Sequence, residues 1–320
     1  MHKPAKWMRD VVALGGEYHW TKMDPARHNL LNLTSAVLLW GAIFGTLALG
    51  RWMPAAVWIP LASGLVGCML FGHYILVLHE CSHNMFVLTK NRETQKRLNR
   101  LIGVVAGGMM FTDYVNHWEK GHTVHHLRPC EEDDPQDKNP ITGPELYGQY
   151  ARLALVPFYW LMINPSNQYG FSVWRVLGGA ALWGPVITAT WLWVGWAGPV
   201  ALYIAFSLVM VLNMTKKAQE HGCGLEHEEF RLLRSRTYVY PTAFLTSPFN
   251  INYHFEHHAN FNVPWYKLPE YHLKLKAMVP EALRPYYFHS DFFEQLSGNK
   301  ALPADELRPL TWAAEDGAAK

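Results

Sequence analysis

This sequence predicts an all-α integral membrane fold: four transmembrane helices in two hairpins, with a cytosolic helical cap that holds a histidine-ligated pair of metal ions. Three observations predict it. Four apolar runs carry almost no charge. The basic residues lie to one side of those runs, and three tight histidine clusters fall on that same side.

Half of the 320 residues are hydrophobic, with 14 Trp and 15 Phe, yet mean hydropathy is near zero. The average hides a strong segregation. Residues 30–50, 54–78, 176–196 and 199–215 contain no Asp, Glu, Lys or Arg. A run of about 20 apolar residues crosses the hydrocarbon core, so each is read as a span. The links within the two pairs, "GRWMP" and "WAGP", carry one basic residue between them, Arg51. The other Lys and Arg lie opposite, which the positive-inside tendency makes cytosolic. Residues 1–29, the stretch 79–175 and the chain after 215 are then cytosolic.

The cytosolic parts divide further. Apolar stretches at 101–112 and 151–164 are too short to span and read as interfacial helices, the first weakened by Gly107 and Gly108. Residues 130–140, "CEEDDPQDKNP", read as an acidic turn. No signal peptide is visible at the N-terminus. Cys68, Cys81, Cys130 and Cys223 form no Cys-x-x-Cys pair and read as free thiols of a reducing compartment. A net charge of +2 gives no reason to expect nucleic acid as a partner.

Eight histidines form the clusters: "HECSH" holds His79 and His83, "HTVHH" holds His122, His125 and His126, and "HFEHH" holds His254, His257 and His258. Residues three and four apart share a helix face, so each cluster is expected to aim its rings at one spot. A zinc ion takes about four ligands. Eight or nine imidazoles therefore suit two ions with four or five nitrogens each. His221 stands just past the fourth apolar run, as His79 stands just past the second, and is read as the ninth ligand. His2, His19, His28, His73, His117, His227, His272 and His289 are left out of the set.

Imidazole accepts several metals; a cytosolic pair beside a membrane favours iron, dioxygen and a lipid substrate. Zinc is the expected contaminant after heterologous expression. Acidic or polar neighbours should support the ligands, and Glu80, Asp113, Glu119, Glu220, Asn252 and Glu256 are the candidates. Two other classes compete. His79-Glu80-x-x-His83 is also a zinc metalloprotease pattern, but a protease leaves the other clusters idle. An ion transporter would need polar residues inside the spans, and His73 is almost the only one.

The whole pattern resembles the membrane fatty acid desaturase superfamily, in its acyl-lipid branch. The three boxes, the "DDP" of residues 133–135, and Asn252, Pro264, Leu268, Pro269 and His272 around the third box carry the resemblance over about residues 30–285. It implies a membrane desaturase-like domain there, between a cytosolic segment 1–29 and a tail 286–320. It further implies a di-iron centre, dioxygen, an external electron donor, and a fatty acyl or lipid substrate that is desaturated or, alternatively, hydroxylated. The membrane is a bacterial inner membrane or an endoplasmic reticulum.

Some details depart from the family. Lys217 stands where some members have Asn, Ala259 stands where a leucine is expected, and no haem-binding His-Pro-Gly-Gly motif is present. Electrons are thus expected from a separate ferredoxin, rubredoxin or cytochrome b5-type protein. Lys90, Arg92, Lys96, Arg97, Arg100, Lys216 and Lys217 are candidate docking residues. Trp118, Phe158, Tyr159 and Trp160 are candidates to line a tunnel for an aliphatic chain.

Overall fold

Small residues set the centre of the fold. A computed structural model describes residues 2–136, 141–222, 224–294, 296–297 and 307–313. Helices α1 (Lys6–Gly15), α2 (Pro25–Ala48) and α3 (Ala55–His73) open a mostly helical chain. A π-helical stretch, Tyr74–His79, carries α3 into the short α4 (Glu80–Ser82). After α5 (Arg92–Met109), a second π-helical stretch, Tyr114–Lys120, leads into α6 (Gly121–Leu127). Next come α7 (Gly143–Leu155), α8 (Tyr159–Met162), α9 (Val173–Val194) and α10 (Ala197–His221). The chain continues with α11 (Ala243–Thr246), α12 (His254–Ala259), α13 (Leu268–Met278) and α14 (Arg284–Tyr287). Strands β1 (Thr237–Tyr238) and β2 (Phe288–His289) form a short parallel pair.

Helices α3 and α10 form the buried axis. Gly67 lets them approach, because a Cβ there would lie 2.8 Å from Leu208 Cδ2 and 3.1 Å from the Ala205 carbonyl. Ser63 donates to the Ala201 carbonyl at 3.2 Å across the same contact. Small residues and interhelical hydrogen bonds are how helices associate in lipid. Among the described residues, four helical stretches are long and apolar enough to cross a membrane: Pro25–Trp52, Ala55–Ser82, Val173–Val194 and Ala197–His221. Their most apolar windows are 11%, 72%, 17% and 50% buried respectively, so α2 and α9 are the outer pair.

Each of the four helical stretches overruns its apolar run on the side that bears the histidines. Asp24 starts α2 by accepting the Arg27 N–H at 2.8 Å, with Pro25 in the first position, where no donor is needed. At the other end of the chain's core, α10 continues through Lys216 and Glu220 to His221. Apolar composition marks where lipid is touched, while the backbone hydrogen bonds run on.

Two expected interfacial helices differ. The first starts at Arg92, where the Asn91 side chain accepts the Thr94 N–H at 2.9 Å, and it continues through Gly107 and Gly108. Glycine here serves packing, since a Cβ at Gly103 would collide with the Tyr114 ring. The second is broken at Phe158, whose φ of 58° is left-handed. Among the cysteines, Cys68 and Cys81 are free thiols, Cys130 Sγ lies 3.8 Å from His221 Nδ1, and Cys223 lies outside the described residues. A second core of Val11, Phe255, Tyr271, Leu275 and Tyr287 ties α1, α12 and α13 together behind the third histidine cluster.

Candidate metal centre

Four pieces of chain deliver the nine histidines: the end of α3 through α4, then α6, the last residue of α10, and α12. The first cluster begins on the last residue of a π-helical stretch, and the second follows another. Such a turn adds a residue to the circuit and re-aims the side chains beyond it.

The nine rings are all buried and fall into two groups. Ring nitrogens of His79, His83, His122, His126 and His257 lie within 4.8 Å of one another, as do those of His125, His221, His254 and His258. In the first group, His79 Nε2 is 3.0 Å from His257 Nε2, and His122 Nε2 is 3.1 Å from both His83 Nε2 and His126 Nε2. In the second, His254 Nε2 is 2.8 Å from His221 Nε2 and 3.1 Å from His258 Nε2. Two nitrogens bound at about 2.1 Å and a right angle apart are about 3.0 Å from each other. These spacings therefore fit the edges of two coordination shells, and the two groups could each hold a metal ion.

The expectation that a cluster aims at one spot is corrected. Around a helix, i and i+4 differ by about 40°, while i+3 lies about 60° to the other side. Thus His122 and His126 face the first group and His125 faces the second. His254 and His258 face the second group and His257 the first.

Burial first, then nearby imidazoles, hold His122, His126 and His257 well below the usual range, and at His254 and His258 the charge of Lys216 adds to burial and the imidazoles. Burial and His125 bring His83 down to about 3. Neutral imidazole is the form that binds metal.

The outward nitrogens are held in turn. Nδ1 of His125 meets Asp134 Oδ2 at 2.9 Å, Nδ1 of His122 meets Gln136 Oε1 at 2.6 Å, and Nδ1 of His221 meets the Arg234 carbonyl at 2.8 Å. Burial alone would raise the Asp134 carboxyl; the charge and hydrogen bond of His125 outweigh it and hold it below the carboxylate range. None of these three partners was among the sequence candidates. The one signal was that Asp134 belongs to the "DDP" noted after the second box. Phe261, also unforeseen, stacks 5.2 Å from the His83 ring and 4.9 Å from that of His126.

Residues 50–290 match the model of the fatty acid desaturase family. The chain belongs to that family. It is also 23% identical over 221 residues to the sphingolipid delta(4)-desaturase of Drosophila melanogaster, covering 67% of this chain and 65% of that protein. The chain therefore aligns with somewhat less than two thirds of that relative's length.

Within this desaturase-family site, the six expected supporting residues divide. Glu80 Oε1 lies 3.4 Å from His79 Nδ1. Glu220 Oε2 accepts from Lys216 and lies 3.3 Å from His254 Nε2. Glu256 binds His272 Nδ1 at 2.6 Å and accepts from Thr237, bracing α12. Asn252 donates to the Tyr238 carbonyl at 2.8 Å just before the third cluster. Asp113 instead caps the stretch before α6 by accepting the Asn116 N–H at 3.0 Å, and Glu119 pairs with Arg100 at 3.4 Å on the surface. Asp113 and Glu119 hold backbone and surface rather than ligands. Of the docking candidates, Lys216 is buried against Glu220, and Lys217 donates to the Gln136 carbonyl.

A cavity of about 200 Å³ adjoins the site, lined by Gln136, Ile163, Pro165, Met210, Met214 and Lys217 among others. A smaller one of about 20 Å³ shares Pro165 and Met210 and reaches Tyr74, Trp160 and Phe206. Trp118 bridges the site and this interior, 5.2 Å from the His122 ring and 4.9 Å from that of Tyr74. Trp160 lines the inner cavity, and Tyr159 donates to Gln149, which lines the outer one. Phe158 does not share this role: it is 58% exposed, turned outward by its left-handed backbone. The histidines left out of the set stay outside both groups. His73 takes a hydrogen bond from Trp40 at 3.3 Å, and His28 reaches the Met85 carbonyl.

Proposed function

We propose that this desaturase-family protein introduces a carbon–carbon double bond into an aliphatic lipid chain, using dioxygen, two irons held by the nine histidines and an external electron donor. The observation that carries it is the division of nine buried imidazoles into five and four beside an apolar cavity. Bound there, the iron pair would supply the dioxygen chemistry that removes hydrogen from an unactivated methylene.

The protein's own residues do the rest. The nine rings present nitrogens inward, and Asp134, Gln136 and the Arg234 carbonyl fix three of them from outside. Trp118, Met210 and Trp160 give an apolar wall along which a lipid chain lies. Burial of the cage excludes water from the reacting carbon. The four spans form two hairpins, residues 30–285 make the membrane unit, and the cage with both flanking segments faces the cytosol. A ferredoxin, rubredoxin or cytochrome b5-type protein delivers electrons there.

Mass spectrometry of lipids from cells that express the protein tests the reaction. Loss of two hydrogens supports desaturation, gain of one oxygen supports hydroxylation, and an unchanged lipid profile with iron-loaded protein counts against both. Labelling of single cysteines placed at positions 52 and 197 tests the topology; reaction from the cytosolic side would overturn it.

A further inference from the structure

A cleft away from the histidine cage has the make-up of a lipid headgroup site. It measures about 830 Å³ and is lined by Lys22, Arg27, Lys267, His28, Tyr266 and the leucines that begin α2. Its two halves differ in chemistry. Leu30 and Leu31 are 68% and 37% exposed at the start of a helix apolar enough to cross a membrane, so this half meets acyl chains. About one turn nearer the helix start, Lys22 and Arg27 form the other half, and both are exposed.

Cations outnumber acids in this cleft. Lys22, Arg27 and the nearby Arg92 make no ion pair among the described residues, whereas Lys267 pairs with Glu270 at 2.9 Å. Lys22 and Arg92 both lie close enough to His19 to oppose its protonation, after burial, so the cations are gathered rather than scattered. Asp24, the one acid in the lining, is engaged as the cap of α2. The wall is built from within: His28, 1% exposed, holds the Tyr266 hydroxyl at 2.9 Å and the Met85 carbonyl at 2.5 Å.

We propose that this cleft binds the phosphate headgroup of an anionic phospholipid, in the leaflet on the side of the histidine cage. Lys22 and Arg27 take the phosphate, Arg92 adds to the positive field beside it, and Leu30 and Leu31 take the upper acyl chain. A soluble acidic protein could not reach leucines that face the hydrocarbon, so the membrane is the source of the ligand. The proposal needs α2 to lie in a bilayer, and it does not depend on the reaction.

Native mass spectrometry of the detergent-solubilised full-length protein tests it, with dioleoylphosphatidylglycerol, dioleoylphosphatidylcholine and inorganic phosphate as the probes. A basic residue near an anionic lipid contributes roughly fivefold in affinity. The variant Lys22→Gln/Arg27→Gln/Arg92→Gln should therefore lose phosphatidylglycerol affinity on the order of a hundredfold. An equal charge change elsewhere, Lys96→Gln/Arg97→Gln/Arg100→Gln, should leave it within about threefold. The charge-preserving Lys22→Arg/Arg27→Lys should bind as the parent does, which separates lost charge from lost fold. Equal binding of phosphatidylcholine, or equal loss in both triple variants, would overturn the site. Displacement of phosphatidylglycerol by millimolar inorganic phosphate would overturn the membrane as the source.

Discussion

His125 and His257 have changed partners: each is the i+3 member of its own cluster, and each sits in the ligand group that holds the other two members of the other's cluster. His257 Nε2 lies 3.0 Å from His79 Nε2, while the His125 ring lies 4.8 Å from that of His221 and 4.9 Å from that of His258. The exchange ties α6 to α12 through both groups.

It follows that the two histidines should affect different ions. His125→Ala leaves three imidazoles in the second group, and His257→Ala leaves four in the first. Iron per protein should fall from about two to about one in His125→Ala and stay closer to two in His257→Ala, since about four nitrogens still make a full site. Elemental analysis of purified protein reads this directly; equal losses in both variants would argue for a single shared site.

Asp134 should matter almost as much as a ligand. It holds His125 at 2.9 Å and also accepts the Cys130 N–H at 2.8 Å, so it ties ring to loop. Removing such a partner typically costs about tenfold to a hundredfold in metal affinity or activity. Asp134→Asn is expected within that range in chelator competition, with Asp133→Asn, an exposed residue paired with Arg128, near the parent value.

How much of this was legible in the sequence differs by physical cause. The spacing of the clusters and the four uncharged runs are statements about side chains, and they located the nine histidines and four apolar helices. The π-helical stretches that end at His79 and just before His122 carry no composition signal, because the same residues form either kind of turn. The Arg234 carbonyl that holds His221 is backbone, which any residue would supply. Lys216 looked like surface charge until α10 was seen to carry it inward beside Glu220. The parting of His125 from His126 was calculable from helix phase, and the assumption of one shared face concealed it.

The Lys216–Glu220 pair leads to a stability prediction. Both side chains are at least nine-tenths buried, and the carboxylate also lies 3.3 Å from His254 Nε2. Removing one member of a buried pair strands the other and typically costs about 3–5 kcal/mol. Glu220→Gln should therefore be destabilised by that order in the apoprotein, as should Lys216→Met. The double variant Lys216→Met/Glu220→Gln should recover much of the loss. Denaturation curves in one detergent check this, and simple additivity of the two single losses would show that the pair is not coupled.

The cavities lead to a prediction about chain length. Pro165 and Met210 are common to the outer cavity beside Gln136 and the inner one beside Trp160 and Phe206. Gln136 in turn holds His122, so the outer cavity lies next to the first ligand group. A chain that passes the cage must then pass Met210 to reach the inner space. Met210→Trp narrows that passage, whereas Phe158→Ala, at an exposed position, leaves it alone. In cells fed lipids of graded chain length, Met210→Trp should lower conversion of the longest chains by about tenfold or more, because a misplaced methylene loses its near-attack position. Shorter chains should convert as before or be attacked at a different carbon, and Phe158→Ala should match the parent throughout. Should Met210→Trp keep the parent's chain-length profile and product position, the aliphatic chain takes another route to the cage and these two cavities are not its path.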